Sequence, residues 1–173
     1  MRVRIAILLL VALTLSCRNP ELPVNTVLWR LDTPWATSPE SPGARVAKAT
    51  LISFRSGDEF IEHHCEVIER GGDAVYIVSR GPRLVSVGTW TKKRARVTAM
   101  RRNVHRKPPL GGAVDPACAN PELVFRIEGQ TLIGETGDMS GVWSPLTRLV
   151  SPDYESYINL ARNSPVKCPV SEE

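Results

Sequence analysis

His63-His64-Cys65 is the run of this chain that most invites a metal reading, since imidazole nitrogens and a thiolate are the donors that hold zinc in tetrahedral sites. In an extended strand, adjacent side chains point to opposite faces. Only His63 and Cys65 then share a face, with His105 as the third histidine available to them. Ile61 and Val67 fall on that same face, so Cys65 reads as a small core residue. No metal and no cofactor is expected. Enzymatic signatures are absent too: the chain contains no G-x-S-x-G, no HExxH, no C-x-x-C and no phosphate-cradling glycine loop. The expectation is a non-catalytic binding or structural module.

Charge is the strongest signal in the body of the chain. From Ala74 to Val114 there is no Asp or Glu but ten bases, including Lys92, Lys93, Arg94, Arg96, Arg101, Arg102, Arg106 and Lys107. Both flanks are acidic, with net charges of −3 for residues 17–73 and −5 for residues 115–173. Strand alternation sends Ala95, Val97 and Ala99 inward and Arg94, Arg96 and Arg102 outward. Arg94, Arg96, Arg101, Arg102, Arg106 and Lys107 are therefore the candidate contacts to an anionic surface, an anionic envelope polymer or an acidic protein. The competing reading pairs these bases with Glu59, Glu62, Glu66 and Glu69 on another strand. Nucleic acid is not expected, because no aromatic residues interleave with the bases to stack on nucleobases. Trp90 and Trp143 read as core, and Trp90, Val97 and Phe125 are the candidate lining of an apolar pocket.

Cys17 raises a different chemistry. Met1 to Arg4 is a short basic segment, Ile5 to Leu15 is an apolar run, and Ser16 precedes the cysteine. Eleven residues at a helical rise of about 1.5 Å cover roughly 16 Å, half of a hydrocarbon core of about 30 Å. The segment is a signal peptide and too short for a membrane span. Leu13-Thr14-Leu15-Ser16-Cys17 resembles the lipobox of bacterial lipoproteins. That resemblance implies a diacylated Cys17 as the mature N-terminus, a membrane partner through the anchor, and an exported envelope location. Arg18 after the cysteine favours the outer membrane in a Gram-negative host. The other reading of Cys17 is a disulfide partner. If it is acylated, Cys65, Cys118 and Cys168 remain, enough for one bridge, and the favoured pair is Cys118 with Cys168, leaving Cys65 as a buried thiol.

The elements that must position these residues are mostly strands. Aromatic content is 6% and Pro plus Gly number 26 of 173, which suits short strands and turns. Residues 1–16 are read as signal peptide, 17–24 as lipidated tether and 25–173 as one β-rich domain. Strands are predicted over 25–32, 46–54, 59–69, 74–79, 84–91, 95–102, 123–128, 131–135 and 142–150, with turns at Ser56-Gly57-Asp58, Lys92-Lys93 and Gly129. An irregular stretch is predicted from 104 to 121. Ser151, Pro152, Asp153 and Glu155 signal a helix over 152–162 that docks Tyr154, Tyr157, Ile158 and Ala161, followed by a tail. The fold class is mainly β: an antiparallel meander barrel or sandwich of about eight strands with one C-terminal helix.

Gly88-Thr89-Trp90 ahead of Arg96-Val97-Thr98, and Phe125 to Leu132 followed by Leu146-Thr147-Arg148-Leu149, resemble the hairpins of small lipocalin-like bacterial lipoproteins. The resemblance covers residues 46–150 and implies a barrel that carries a small apolar ligand.

Overall fold

Alternating apolar residues and left-handed turns set the architecture. The structure, a computed structural model, describes residues 28–31, 34–38, 43–70, 74–77, 83–107, 115–146, 149–150 and 153–169. Cys17, the leader, the tether and the Ser151-Pro152 helix start lie outside the described residues. The strands are β1 (Leu28–Leu31), β2 (Ala36–Thr37), β3 (Ala44–Arg55), β4 (Glu59–Arg70), β5 (Ala74–Ile77), β6 (Arg83–Lys93), β7 (Arg96–Lys107), β8 (Glu122–Glu128), β9 (Thr131–Gly134), β10 (Gly141–Leu146) and β11 (Leu149–Val150). Helix α1 (Tyr154–Arg162) follows them.

Eight strands close into an antiparallel barrel, in the order β1, β3, β4, β6, β7, β8, β9, β10 and back to β1. Each is joined to its neighbour in chain order, apart from two excursions. The long β3–β4 hairpin runs past the barrel, and there β2 adds to β3 and β5 to β4. Strand β11 pairs in parallel with β5, so the predicted strand 142–150 is two short strands divided between barrel and flange.

The turns lie at one end of the barrel. Gly57 and Asp58 have φ of 75° and 59°, and Gly129 has 59°, all residue types that tolerate the left-handed region. The β6–β7 turn falls at Arg94-Ala95, two residues beyond the predicted Lys92-Lys93, and Arg94 itself adopts φ 59°. Strand β7 then extends to Lys107, well into the stretch predicted to be irregular.

Two faces of the same strands feed two cores. Inside the barrel, Trp29, Ile52, Phe54, Phe60, Val97, Leu123, Phe125, Leu132 and Trp143 are buried together. Edge-to-face contacts tie Phe54 to Trp90 and to Phe125, and Phe125 to Trp143, at centroid distances of 5.4, 6.0 and 5.7 Å. Each such pair contributes about 0.5–1.5 kcal/mol beyond its burial. On the outer face, Leu51, Ile61, Cys65, Val67, Val85 and Val87 receive Tyr154, Ile158 and Ala161 of α1. The helix carries Glu155 in its first turn and Arg162 in its last, each the charge that complements its dipole.

Beyond the helix, the chain returns to β7. Val104 N–H donates to Val166 O and Cys168 N–H donates to Arg102 O. Cys168 is disulfide-bonded to Cys118 in the turn before β8, and the pair packs with Leu84 and Val104.

Candidate binding cleft

The barrel is filled unevenly. Its turn end is plugged by the aromatic cluster, whereas its opposite end opens into a cleft of about 640 Å³. Inward residues of the overhanging β3–β4 hairpin, Lys48, Thr50, His64 and Glu66, form one wall. Leu84 of β6, Arg101 and Arg106 of β7, and Pro116 and Ala117 form the other, with Asp138 from the β9–β10 connection at the rim.

At the floor lies a buried ion pair. Glu62 and Arg101 are 0% and 2% exposed. Arg101 Nε donates to Glu62 Oε2 at 2.6 Å and Nη2 donates to Oε1 at 2.7 Å. The remaining guanidinium nitrogen donates to Ala117 O and Asn120 O, so the arginine also holds the loop that walls the cleft. Ser86 Oγ donates to Glu62 at 2.6 Å. Burial alone would raise the Glu62 carboxyl, but hydrogen bonds from His64 and Arg101 outweigh it and hold the group down at about 2. The same pairing keeps Arg101 raised above its ordinary value against the opposing effect of burial.

His64 stands directly across from Thr50 in the hairpin register. Its Nδ1 is 3.3 Å from Thr50 Oγ1, and its Nε2 meets Glu62 Oε1. Hydroxyl, imidazole and carboxylate thus follow the order of a hydrolytic triad. Glu62 is already neutralised by a bidentate guanidinium, however, which weakens the help a triad carboxylate gives to an imidazolium. Glu62, His64 and Asp138 also bring ligand atoms within 4.8 Å of one another. Arg101 Nη2 lies 3.5 Å from Asp138 as well as on Glu62, so a divalent ion would meet a fixed positive charge there. The set is an ion-pair network that suits ligand binding better than metal binding.

The wall has its own support. Arg106 makes a two-point contact with Asp115, at 2.7 and 2.9 Å, and Asp115 also accepts from Ala117 N–H. These bonds, the Arg106 guanidinium first, hold the Asp115 carboxyl below its ordinary value. The charged residues lining the cleft are Lys48, Arg83, Arg101 and Arg106 against Glu66 and Asp138.

Several sequence expectations need correction. Arg101 is not a surface contact: it has the inward parity of Val97 and Ala99 and is buried against Glu62. The basic residues form no single stripe. Arg94 and Arg96 are exposed at the turn end, Arg102 is half-buried at a β-bulge, Arg106 lies in the cleft wall, and Lys107 is exposed at the open end. Trp90, Val97 and Phe125 do not line the cleft, because they belong to the aromatic plug. Of the predicted glutamate partners, Glu62 takes Arg101 of β7 in a hydrogen-bonded pair, while Glu59 holds Arg162 and Glu69 holds Arg45.

His63 and Cys65 face α1. His63 stacks on Tyr154 at 5.7 Å, and burial, with Arg83 and His64 nearby, pushes it down to about 3. Burial raises the Cys65 thiol to about 12, leaving it an inert core residue.

Glu62 was anticipated as a partner of the bases and His64 as part of the His63-His64-Cys65 run, but neither as part of a cleft, and Thr50, Ser86 and Asp138 were not singled out from the sequence. The available signal was parity: Glu62 and His64 occupy the face opposite Ile61, His63 and Cys65. No protein family, curated protein or solved structure matches the chain.

Proposed function

We propose that this protein is a lipid-anchored envelope lipoprotein whose barrel is a non-catalytic binding module. Its ligand is a small molecule with an anionic group and a short apolar part, held at the mouth of the barrel. One observation carries this reading: a fully buried Glu62–Arg101 pair floors an open cleft whose charged lining is mostly basic. A buried ion pair is a poor source of stability compared with apolar packing, so its placement beneath a cleft favours a recognition role. The anionic group would meet Lys48, Arg106 and His64, and the apolar part would rest on Leu84 and Pro116.

The barrel supports a lipocalin-like likeness only in architecture. A carrier of purely apolar cargo needs a hollow lumen, and here Phe54, Phe60, Phe125 and Trp143 occupy it. The anchor rests on the lipobox resemblance at Cys17 and on the apolar leader before it.

Calorimetric titration with citrate, pyrophosphate and the neutral dye N-phenylnaphthylamine tests the ligand class. Saturable heat from an anion, weakened about tenfold or more by Lys48→Ala or Arg106→Ala, is expected for loss of a charged hydrogen bond. Saturable dye binding with silent anions would favour an apolar carrier instead.

A further inference from the structure

Strand directions place the entry of the chain and the cleft at opposite ends of the barrel. Leu28 pairs with Leu146 at the end of β10, and β1 then runs inward to Leu31 opposite Trp143. That entry lies at the turn end, with Ser56-Gly57-Asp58, Arg94-Ala95 and Gly129-Gln130. Thr50, His64, Leu84, Arg106 and Ala117 all lie toward the other end.

The turn end is also selectively charged. Lys93, Arg94 and Arg96 are exposed, and among the described residues their side chains form no ion pair or hydrogen bond. Other charges at this end are compensated: Arg55 by Glu155, Arg162 by Glu59, and Arg126 by Glu128 and Glu135. Arg94 sits at φ 59°, where glycine or asparagine is preferred, so the arginine occupies a position that its backbone conformation disfavours. The turn is firmly mounted, because β6 and β7 pair over their whole length, and Trp90 Nε1–H donates to Arg55 O across to the neighbouring hairpin.

We propose that the β6–β7 turn, through Lys93, Arg94 and Arg96, is a foot that seats on the phosphates of anionic phospholipids, so that the cleft faces away from the bilayer. The proposal rests on the reading of Cys17 as the lipid anchor. Ten residues separate Cys17 from Leu28, and at no more than about 3.6 Å each they reach roughly 36–40 Å. The tether alone therefore permits many orientations. Charges within a Debye length of about 10 Å of the headgroups select one of them.

The test uses the full chain extracted from host membranes. Its intact mass is read at Cys17, and it is then reconstituted in vesicles of phosphatidylcholine alone or with equimolar phosphatidylglycerol. Acetylation by a water-soluble reagent is followed at Lys93, on the foot, and at Lys48, in the cleft. With phosphatidylglycerol, Lys93 is expected to be slowed about fivefold or more, Lys48 to be unchanged, and the difference to vanish at high salt. Arg94→Glu with Arg96→Glu, both exposed and so compatible with an intact fold, should abolish the protection, each lost charge being worth about fivefold in surface affinity. Protection of Lys48 instead, no dependence on phosphatidylglycerol, or protection produced by soluble polyglutamate but not by vesicles would overturn the foot. An unacylated Cys17 would overturn the anchor alone, since vesicles added from outside still report whether the foot binds.

Discussion

Arg101 and Glu62 form a two-point ion pair inside the barrel, at the level where the aromatic core gives way to the cleft. Nothing in the net charge of the chain requires this pair. It exists because β4 and β7 direct Glu62 and Arg101 into the barrel at the edge of its apolar core, and neither is tolerable there alone.

Removing one partner should therefore cost more than removing both. Arg101→Met leaves Glu62 buried without its counter-ion and is expected to cost about 3–5 kcal/mol in chemical denaturation. Adding Glu62→Leu to that variant is expected to recover most of the loss. A double variant as unstable as the single would mean that the pair acts through something other than mutual charge compensation.

Acidification should weaken the fold in two stages. His63 is neutral in the folded chain, with its value pushed from 6.5 down to about 3, so the unfolded chain takes up a proton first as pH falls below 6.5. Stability then drops by about 2 kcal/mol between neutrality and pH 5. Glu62 is held down at about 2 against an ordinary 4.5, so its contribution is present above that value and is lost as pH falls from 4.5 toward 2. Urea midpoints for the parent and His63→Gln at pH 7 and pH 5 should converge at the lower pH, and a constant offset would contradict the assignment.

Two backbone positions should respond in opposite directions. A Cβ on Gly88 would sit 1.8 Å from Met100 O, at the bulge between Val87 and Gly88, so Gly88→Ala must displace backbone and is expected to destabilise by about 1–3 kcal/mol. Arg94→Gly relieves a left-handed residue on an exposed turn and is expected to stabilise by about 1 kcal/mol. Thermal melts of both variants check the pair of signs.

The Cys118–Cys168 bond closes a loop with a sequence separation of 50, and Cys118→Ser with Cys168→Ser is expected to cost about 4 kcal/mol on the chain-entropy account. The tail should then leave β7, opening the backbone amides of Val104 and of position 168 to hydrogen exchange. Cys65 should remain unreactive to alkylation until the protein is denatured, since it is buried and its thiol is raised to about 12.

Much of the barrel was legible because its rules are local. Ser56-Gly57-Asp58 marks the β3–β4 hairpin, Gly129 marks β8–β9, and the apolar spacing from Tyr154 to Ala161 marks the helix. Parity with Val97 and Ala99 also points Arg101 inward, although the sequence expectation places it among the surface contacts. What could not be read was non-local. The bulge at Val87/Gly88 resets the alternation of β7, so Val104 packs inward after Arg101 has done so, and no turn signal announces that step. The cleft needs residues from β3, β4, β6, β7 and two connections, and only barrel closure shows that Glu62 and Arg101, 39 positions apart, meet.

The most direct test of the binding account is a ¹H–¹⁵N spectral titration of the protein with citrate. Saturable shifts confined to the amides of Thr50, His64, Leu84, Ala117 and Asp138, with Val97 and Phe125 silent, are the result the account requires. Citrate without effect, alongside an apolar compound that shifts Val97 and Phe125, would place the binding site in the barrel lumen and contradict it.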